Sequence, residues 1–200
     1  MYLKRNAFAL FAIYLITSTG CGAQEIPDKE AQIGAAVMAA PEELRDGATV
    51  LGYDASGKVV TLREGTNDLV CLADDPNRPG FGVACYHKDL EPFMARGREL
   101  RTEGKSGTEI FDMREAEVKA GTLKMPEQPT TLHLLEGQEG KYDPATGEVS
   151  DARYRYVVYI PYATPESTGL PLKPIVPGGP WIMDPGTHRA HIMITPPAPE

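Results

Sequence analysis

The chain has 200 residues, of which 20 are Lys or Arg and 28 are Asp or Glu, so its formal net charge at pH 7 is −8. No run of basic residues interrupts this acidic balance. Because nucleic-acid binding depends on clustered Lys and Arg, the composition argues against a nucleic-acid partner. A hydrophobic content of 42% and a mean hydropathy of −0.30 are typical of a folded domain rather than a disordered chain.

The first twenty residues have the layout of an export signal. Lys4 and Arg5 precede a short apolar run over residues 6–17, and three small or polar residues follow at 18–20. The apolar run is shorter than the roughly 20 residues that a membrane-spanning helix needs. We therefore expect residues 1–20 to be a signal peptide and the protein to be exported.

Cys21 directly follows this segment. A cysteine after a small residue at the end of an apolar run resembles the lipidation site of bacterial lipoproteins, although position 18, where that group usually has Leu, is Ser. Ordinary cleavage near Ala23, which would discard Cys21, is the alternative. Lipidation of Cys21 predicts an envelope protein, periplasmic or at the surface, that is held to a membrane without a spanning helix.

Two cysteines remain in the folded part of the chain under either kind of processing. Cys71 and Cys85 are 14 positions apart and lie in two predicted strands. Disulfides persist in the compartments that exported proteins reach, and the chain lacks the Cys-x-x-Cys spacing of a redox motif. We predict a structural disulfide between Cys71 and Cys85 that closes the loop at 74–80.

The pattern of apolar residues predicts an α+β fold. Residues 21–47 are predicted to be a tether with a short helix capped by Asp28 and a further turn after Pro41. Residues 48–197 are predicted to form one globular domain with a mostly antiparallel sheet of about six or seven strands. The candidate strands lie at 49–53, 58–63, 69–72, 81–86, 130–136, 153–162, 181–183 and 189–195.

Two helices are predicted in 89–121 and are expected to pack together on one face of the sheet. Asp89 is a candidate N-cap of the first helix, and Ser106 and Glu109 have the spacing of a capping box at the start of the second. The stretch 163–180 is rich in Pro and Gly and is predicted to be irregular.

Several short segments of the chain carry a resemblance that covers most of the mature protein. They lie at 44–50, 64–67, 71–72, Cys85, 104–106, 142–144 and 191–193. Together they resemble an uncharacterised family of exported bacterial proteins and lipoproteins. The resemblance implies one exported domain, and since that family has no assigned function, it implies no activity and no site residues.

The C-terminal segment contains a candidate metal site. If 189–195 is a strand, His191 and Met193 share a face, with His188 in the preceding turn and Met183 on the preceding strand. Imidazole and thioether ligands suit copper. The alternative is that Met193 belongs to the core and that the histidines are hydrogen-bonded structural residues. Copper binding through His188, His191 and Met193 is therefore the second hypothesis for the function.

No catalytic motif in the sequence supports an enzyme. The chain contains neither a Gly-x-Ser-x-Gly elbow, nor a His-Glu-x-x-His zinc motif, nor a phosphate-binding glycine pattern. Four aromatic residues could line a ligand groove, although core positions are the alternative: Tyr154, Tyr156, Tyr162 and Trp181. The leading hypothesis is a non-enzymatic module without a cofactor that binds an envelope protein or a small ligand. An envelope enzyme of unknown reaction is the third.

Overall fold

The fold is described by a computed structural model for residues 26–197. The signal peptide predicted at 1–20 and the candidate lipidation site Cys21 lie outside these residues. The described chain forms helices and a mostly antiparallel sheet, which confirms the α+β class.

Four α-helices occur in the described part of the chain. They are α1 (Lys29–Val37), α2 (Glu91–Thr102), α3 (Gly107–Lys119) and the short α4 (Pro165–Thr168). Two 3-10 turns, Glu42–Leu44 and Lys88–Leu90, precede the first strand and α2. None of the helices in residues 26–197 is long and apolar enough to cross a membrane.

Within residues 26–197 the main sheet has eight strands. All eight candidate segments are therefore confirmed, and the expected number of six or seven is slightly too low. In chain order the strands are β1 (Thr49–Tyr53), β2 (Val59–Arg63), β3 (Leu69–Leu72), β4 (Phe81–His87), β5 (Thr130–Gly137), β6 (Lys141–Asp143), β7 (Glu148–Ser150), β8 (Arg153–Tyr159), β9 (Trp181–Met183) and β10 (His191–Ile194).

The order of the strands across the main sheet nearly follows the chain. It runs β2-β1-β3-β4-β5-β8-β10-β9, and β1 and β3 form its parallel pair. The remaining two strands, β6 and β7, pair with each other in a separate hairpin where the sequence predicts a polar loop. Neighbouring residues in a strand point to opposite faces, so the sheet has two distinct surfaces.

Helix α1 covers one face of the sheet and presents small side chains to it. Ala36 is completely buried, and the neighbouring alanines pack against Val50, Cys71 and Cys85. Gln32 is also buried, and its amide bonds the backbone of Tyr53 twice, donating to the carbonyl oxygen at 2.9 Å and accepting from the N–H at 2.8 Å. Residues 26–47, which the sequence predicts to be a tether, therefore contribute to the core, and the packed region begins before residue 48.

The disulfide lies in the centre of this face. Cys71 on β3 and Cys85 on β4 are directly opposite each other, both are fully buried, and their sulfur atoms are 2.03 Å apart. The predicted Cys71–Cys85 bridge is therefore present, and it joins two neighbouring strands of the sheet.

Helices α2 and α3 cover the other face, as predicted. Their apolar side chains pack on Tyr86, Leu132, Val157 and other sheet residues of this face. These residues alternate along the strands with the residues that face α1. The capping box of Ser106 and Glu109 is confirmed. The prediction that Asp89 caps α2 is wrong, because Asp89 lies inside the preceding 3-10 turn, where its N–H donates to the ring of His87.

Candidate functional site

An open groove lies mainly on the side of the sheet that α2 and α3 cover, and several arginines line it. Although the whole chain is acidic, seven arginines of the described residues line the groove: Arg78, Arg98, Arg101, Arg114, Arg153, Arg155 and Arg189. Acidic side chains line it as well, and some are paired. Glu136 binds Arg155 at 3.0 Å, and Arg189 is bound at 2.7 Å by Asp184, which lies outside the groove.

The local structure explains why most of these arginines line the same groove. Arg153, Arg155, Val157 and Tyr159 are two residues apart along β8. Their four side chains therefore lie on the same face, which is the face that the helix pair covers. The arginines of α2 and α3 approach the same space from above the sheet, and Arg189 enters from the turn before β10.

Arg114 on α3 differs from the other arginines because it is buried without an acidic partner. Only 8% of its surface is exposed, and its guanidinium carbon lies 3.8 Å from the centre of the Phe93 ring. One terminal nitrogen, Nη1, donates to the carbonyl oxygen of Phe93 at 3.1 Å, whereas Nε is buried with no hydrogen-bond partner. Within residues 26–197 no carboxylate forms a salt bridge with Arg114.

Burial and neighbouring cations both disfavour the charge on Arg114. Burial, opposed by the phenol of Tyr159 and reinforced by Arg189 and Arg101, lowers the pKa of the Arg114 guanidinium to about 10. The group therefore remains charged at pH 7. A buried charge without a counter-charge costs several kcal/mol, so an anion that entered the groove beside Arg114 would relieve a cost that the free protein carries.

Gly97 of α2 leaves open the space that the guanidinium of Arg114 approaches. A Cβ atom at residue 97 would lie 2.9 Å from Nη1 of Arg114 and 3.4 Å from its guanidinium carbon. The guanidinium of Arg114 therefore packs against α2 at Gly97, which has no side chain. In the sequence, Gly97 appears only as one member of the apolar stripe of α2.

Aromatic rings and a buried histidine form the floor beneath Arg114. The ring centre of Phe93 lies 5.7 Å from that of Tyr159 and 5.6 Å from that of His188. Burial raises the pKa of Tyr159, so this side chain keeps its proton and can donate a hydrogen bond. Tyr159 also lines the groove beside Arg114.

His188, a predicted copper ligand, is held by a carboxylate of α3. Its side chain is fully buried, and both its backbone N–H and its ring Nδ1 bond the same oxygen of Glu115, at 2.8 and 2.5 Å. Burial, opposed by Glu115, lowers the pKa of His188, so the ring is neutral at pH 7 and Nδ1 donates. Burial acts to raise the pKa of Glu115, but hydrogen bonds from Lys119 and His188 outweigh it and lower that pKa to about 2.

The other predicted copper ligands lie together on the sheet. His191 is directly opposite Met183 of β9, Met193 follows two residues later on the same face, and Nδ1 of His191 bonds the carbonyl oxygen of Arg189 at 2.7 Å. Within the described chain no group of three or more His, Cys, Asp or Glu side chains is arranged to hold a metal ion. The predicted copper site differs from such a group because methionine supplies part of it, and copper binding stays a prediction.

The four aromatic residues proposed for a groove are separated by the fold. Tyr154 and Tyr156 lie on the face that α1 covers, with nearly parallel rings whose centres are 6.1 Å apart. Trp181 pairs with Met193 on the opposite face, and Tyr162 lies in a turn beyond the end of β8. A single groove of these four side chains is therefore wrong, because the pairing of β9 and β10 places Trp181 on the face opposite Tyr154 and Tyr156.

Sequence reasoning missed Arg114, although one signal was present. Arg114 follows Ile110 by four residues and precedes Val118 by four, so it occupies the same stripe of α3 as two apolar residues. An arginine at a core position of an amphipathic helix indicates either a buried ion pair or a binding site.

Comparisons of the chain with protein-family models, with curated proteins and with solved structures found no match.

Proposed function

We propose that this protein is an exported, non-enzymatic binding module of the cell envelope, anchored through a lipid on Cys21. Its ligand presents an acidic group to Arg114 in the groove between the helix pair and the sheet. The observation that supports this proposal best is Arg114, a residue that is 8% exposed and whose guanidinium forms no salt bridge with the described chain.

The chemistry of the groove favours a carboxylate or a phosphate. A guanidinium offers several N–H donors in a plane, which match the paired oxygens of these anions. The protonated hydroxyl of Tyr159 is placed to add a donor, and Arg101 and Arg189 add positive potential. Apolar side chains such as Met94 and Leu134 also line the groove, so the ligand is a small organic acid or an acidic side chain of an envelope protein.

Two features support export and anchoring. The order of charged, apolar and small residues before Cys21 resembles that of a lipoprotein signal, apart from Ser18. A buried disulfide also fits an oxidising compartment, where such bonds persist. A Cys21→Ala substitution should move the protein from the membrane fraction to the soluble fraction, and a wild-type protein found only in the soluble fraction would contradict the anchor.

Anion binding can be tested by thermal denaturation in the presence of inorganic phosphate or succinate. Both are compared with chloride at equal ionic strength. Because a ligand that binds only the folded state stabilises it, we expect the unfolding temperature of the wild type to rise with the anion concentration. Arg114→Met should abolish that rise. Arg96→Met is the matched control, since Arg96 lies on the outer side of the same helix pair and binds Glu117 at 2.8 Å.

A second variant tests whether the position of Arg114 matters, and not only its charge. Gly97→Ala keeps the arginine but places a methyl group against Nη1. We expect weaker stabilisation by phosphate and succinate with the fold retained. A wild type that neither anion stabilises up to tens of millimolar would contradict the proposal.

Copper binding is a second candidate function, and the register of β9 and β10 favours it. Met183 lies directly opposite His191, and Met193 shares their face, so one imidazole and two thioethers are neighbours. Copper titration of the protein should give one site that His191→Ala removes. His133→Ala is the control, because His133 lies on the other face of the sheet. An unchanged titration in His191→Ala would exclude this candidate.

A further inference from the structure

The most exposed apolar side chains of the described chain lie together in one loop. Residues 172–177, between α4 and β9, are all exposed. Leu172, Ile175 and Val176 are 58%, 83% and 60% exposed, more than any other large hydrophobic residue in the described chain. Exposed apolar clusters of this kind mark contact with a partner or a membrane.

We propose that the loop at 170–180 is a membrane-contacting segment that inserts Leu172, Ile175 and Val176 into the interface of a lipid bilayer. This inference is independent of the groove and of its ligand, since the loop contributes no residue to the groove.

The charge of the loop supports a membrane rather than an arbitrary apolar partner. No acidic residue occurs between Glu166 and Asp184, although the chain as a whole has 28 acidic residues and a net charge of −8. Lys173 lies among the three aliphatic residues and is exposed. An acid-free, cationic tip on an acidic protein complements the negative surface of anionic lipids.

The backbone of the loop is also suited to an apolar environment. A peptide N–H without a hydrogen-bond partner is costly in lipid, and proline has no N–H. Pro171, Pro174 and Pro177 are spaced evenly through the exposed segment. At its base, Gly179 N–H donates to the carbonyl of Val176 at 2.9 Å and Ile182 N–H to that of Pro171 at 3.0 Å.

The same prolines suggest one rival partner. Proteins with aromatic grooves recognise Pro-x-x-Pro segments, which Pro171–Pro174 and Pro174–Pro177 match in spacing. The residues between the prolines distinguish the two possibilities. Ile175 is 83% exposed, and Lys173 is the one polar side chain of residues 170–180. This apolar composition favours insertion into lipid.

Tryptophan fluorescence offers a direct test, because Trp181 is the single tryptophan of the chain. In the full-length protein carrying Trp181→Phe, Ile175→Trp places the reporter at the tip of the loop. Leu44→Trp is the matched control at another exposed position, 37% exposed. Both variants carry the same N-terminal segment, so any contact of residues 1–25 with lipid affects them equally.

The proteins are mixed with vesicles of phosphatidylcholine alone or with one quarter phosphatidylglycerol. We expect the emission of Ile175→Trp to shift to the blue, more strongly with phosphatidylglycerol, while that of Leu44→Trp does not change. Lys173→Glu should remove the preference for phosphatidylglycerol. Unchanged emission of Ile175→Trp, or equal shifts in the two reporters, would overturn the proposal and leave a proline-recognising protein as the rival.

Circular dichroism will show whether Trp181→Phe folds. If it does not, Ile175→Trp and Leu44→Trp are compared in the protein that retains Trp181, using difference spectra against the wild type. The same two outcomes then decide the proposal.

Discussion

The two faces of the sheet are built in opposite ways. On the face that α1 covers, alanines pack against a disulfide, and the one buried amide, Gln32, has both its oxygen and its nitrogen bonded to Tyr53. On the face that α2 and α3 cover, the described residues leave two buried side-chain atoms without partners, Nε of Arg114 and Nε2 of His188. The first face is therefore a packed core whose buried amide is fully paired. The second face has buried nitrogen atoms that could still form hydrogen bonds.

Two arginines of the helix pair show the same contrast at closer range. Arg96 of α2 lies on the outer side, where Glu117 of α3 accepts from its Nε and Nη2 at 2.8 to 3.0 Å and Glu99 accepts from Nη1. Arg114 of α3 points inward and has one carbonyl oxygen as its partner. Arg96 therefore joins the helices, whereas Arg114 is available to a ligand.

The largest expected effect on stability comes from the α1 face. Replacing Cys71 and Cys85 with Ala should lower the free energy of unfolding by about 3 kcal/mol, because the bridge restricts the unfolded chain. Urea denaturation measures this change. Stabilisation by phosphate should persist, since the disulfide lies on the face away from the groove, and its loss would show that the two faces are not independent.

The buried amide of the α1 face should also be costly to remove. Gln32→Leu leaves the N–H and the carbonyl of Tyr53 without partners, for which we expect a loss of about 2 kcal/mol in urea denaturation. Gln128→Leu is the control because Gln128 is exposed, and a surface substitution usually changes stability by less than about 0.5 kcal/mol. Equal effects of the two substitutions would contradict the role of Gln32.

Unlike the two changes above, replacing Arg114 should stabilise the ligand-free protein. Arg114→Met removes an uncompensated buried charge but keeps an unbranched apolar side chain beside Phe93, so we expect the free energy of unfolding to rise by about 1.5 kcal/mol. Arg96→Met should instead lower the unfolding temperature, because it leaves Glu117 without its partner. If both variants are destabilised, the contrast between the two arginines does not hold.

A smaller, pH-dependent effect on stability is expected from Asp74, which lies at the edge of the groove. Burial, opposed by a hydrogen bond from Gly82, raises the pKa of Asp74 to about 6. A carboxyl group with a raised folded-state pKa disfavours folding once ionised, so stability should fall as the pH rises from about 4 to 6. Asp74→Asn should remove that fall and stabilise the protein at pH 7 by about 1 kcal/mol. A parallel pH profile for the variant would contradict this assignment.

Much of the fold follows from local patterns in the sequence. Alternating apolar residues mark β4 and β8, Ser106 and Glu109 mark the start of α3, and the spacing of Cys71 and Cys85 predicts their bridge. These features depend on neighbours in the chain, which the sequence displays directly.

The features that the sequence hides depend on contacts between distant elements. The hairpin of β6 and β7 has few apolar residues, so nothing distinguishes it from a loop. Arg114 lies in the apolar stripe of α3, but the sequence does not show that Gly97 and Phe93 of the neighbouring helix enclose it. The candidate site was therefore missed because it is formed by the packing of α2 against α3.

The outer edges of the sheet bear on how this protein can associate with itself. β9 is only three residues long, lies between Pro180 and Pro185, and its Ile182 N–H is already bonded to the carbonyl of Pro171. An incoming strand finds little free backbone there. Among the described strands, β2 at the opposite edge therefore offers the more open route to edge-to-edge polymerisation, the usual hazard of an open sheet. A single proline placed in β2 at a position whose N–H faces outward would block that route.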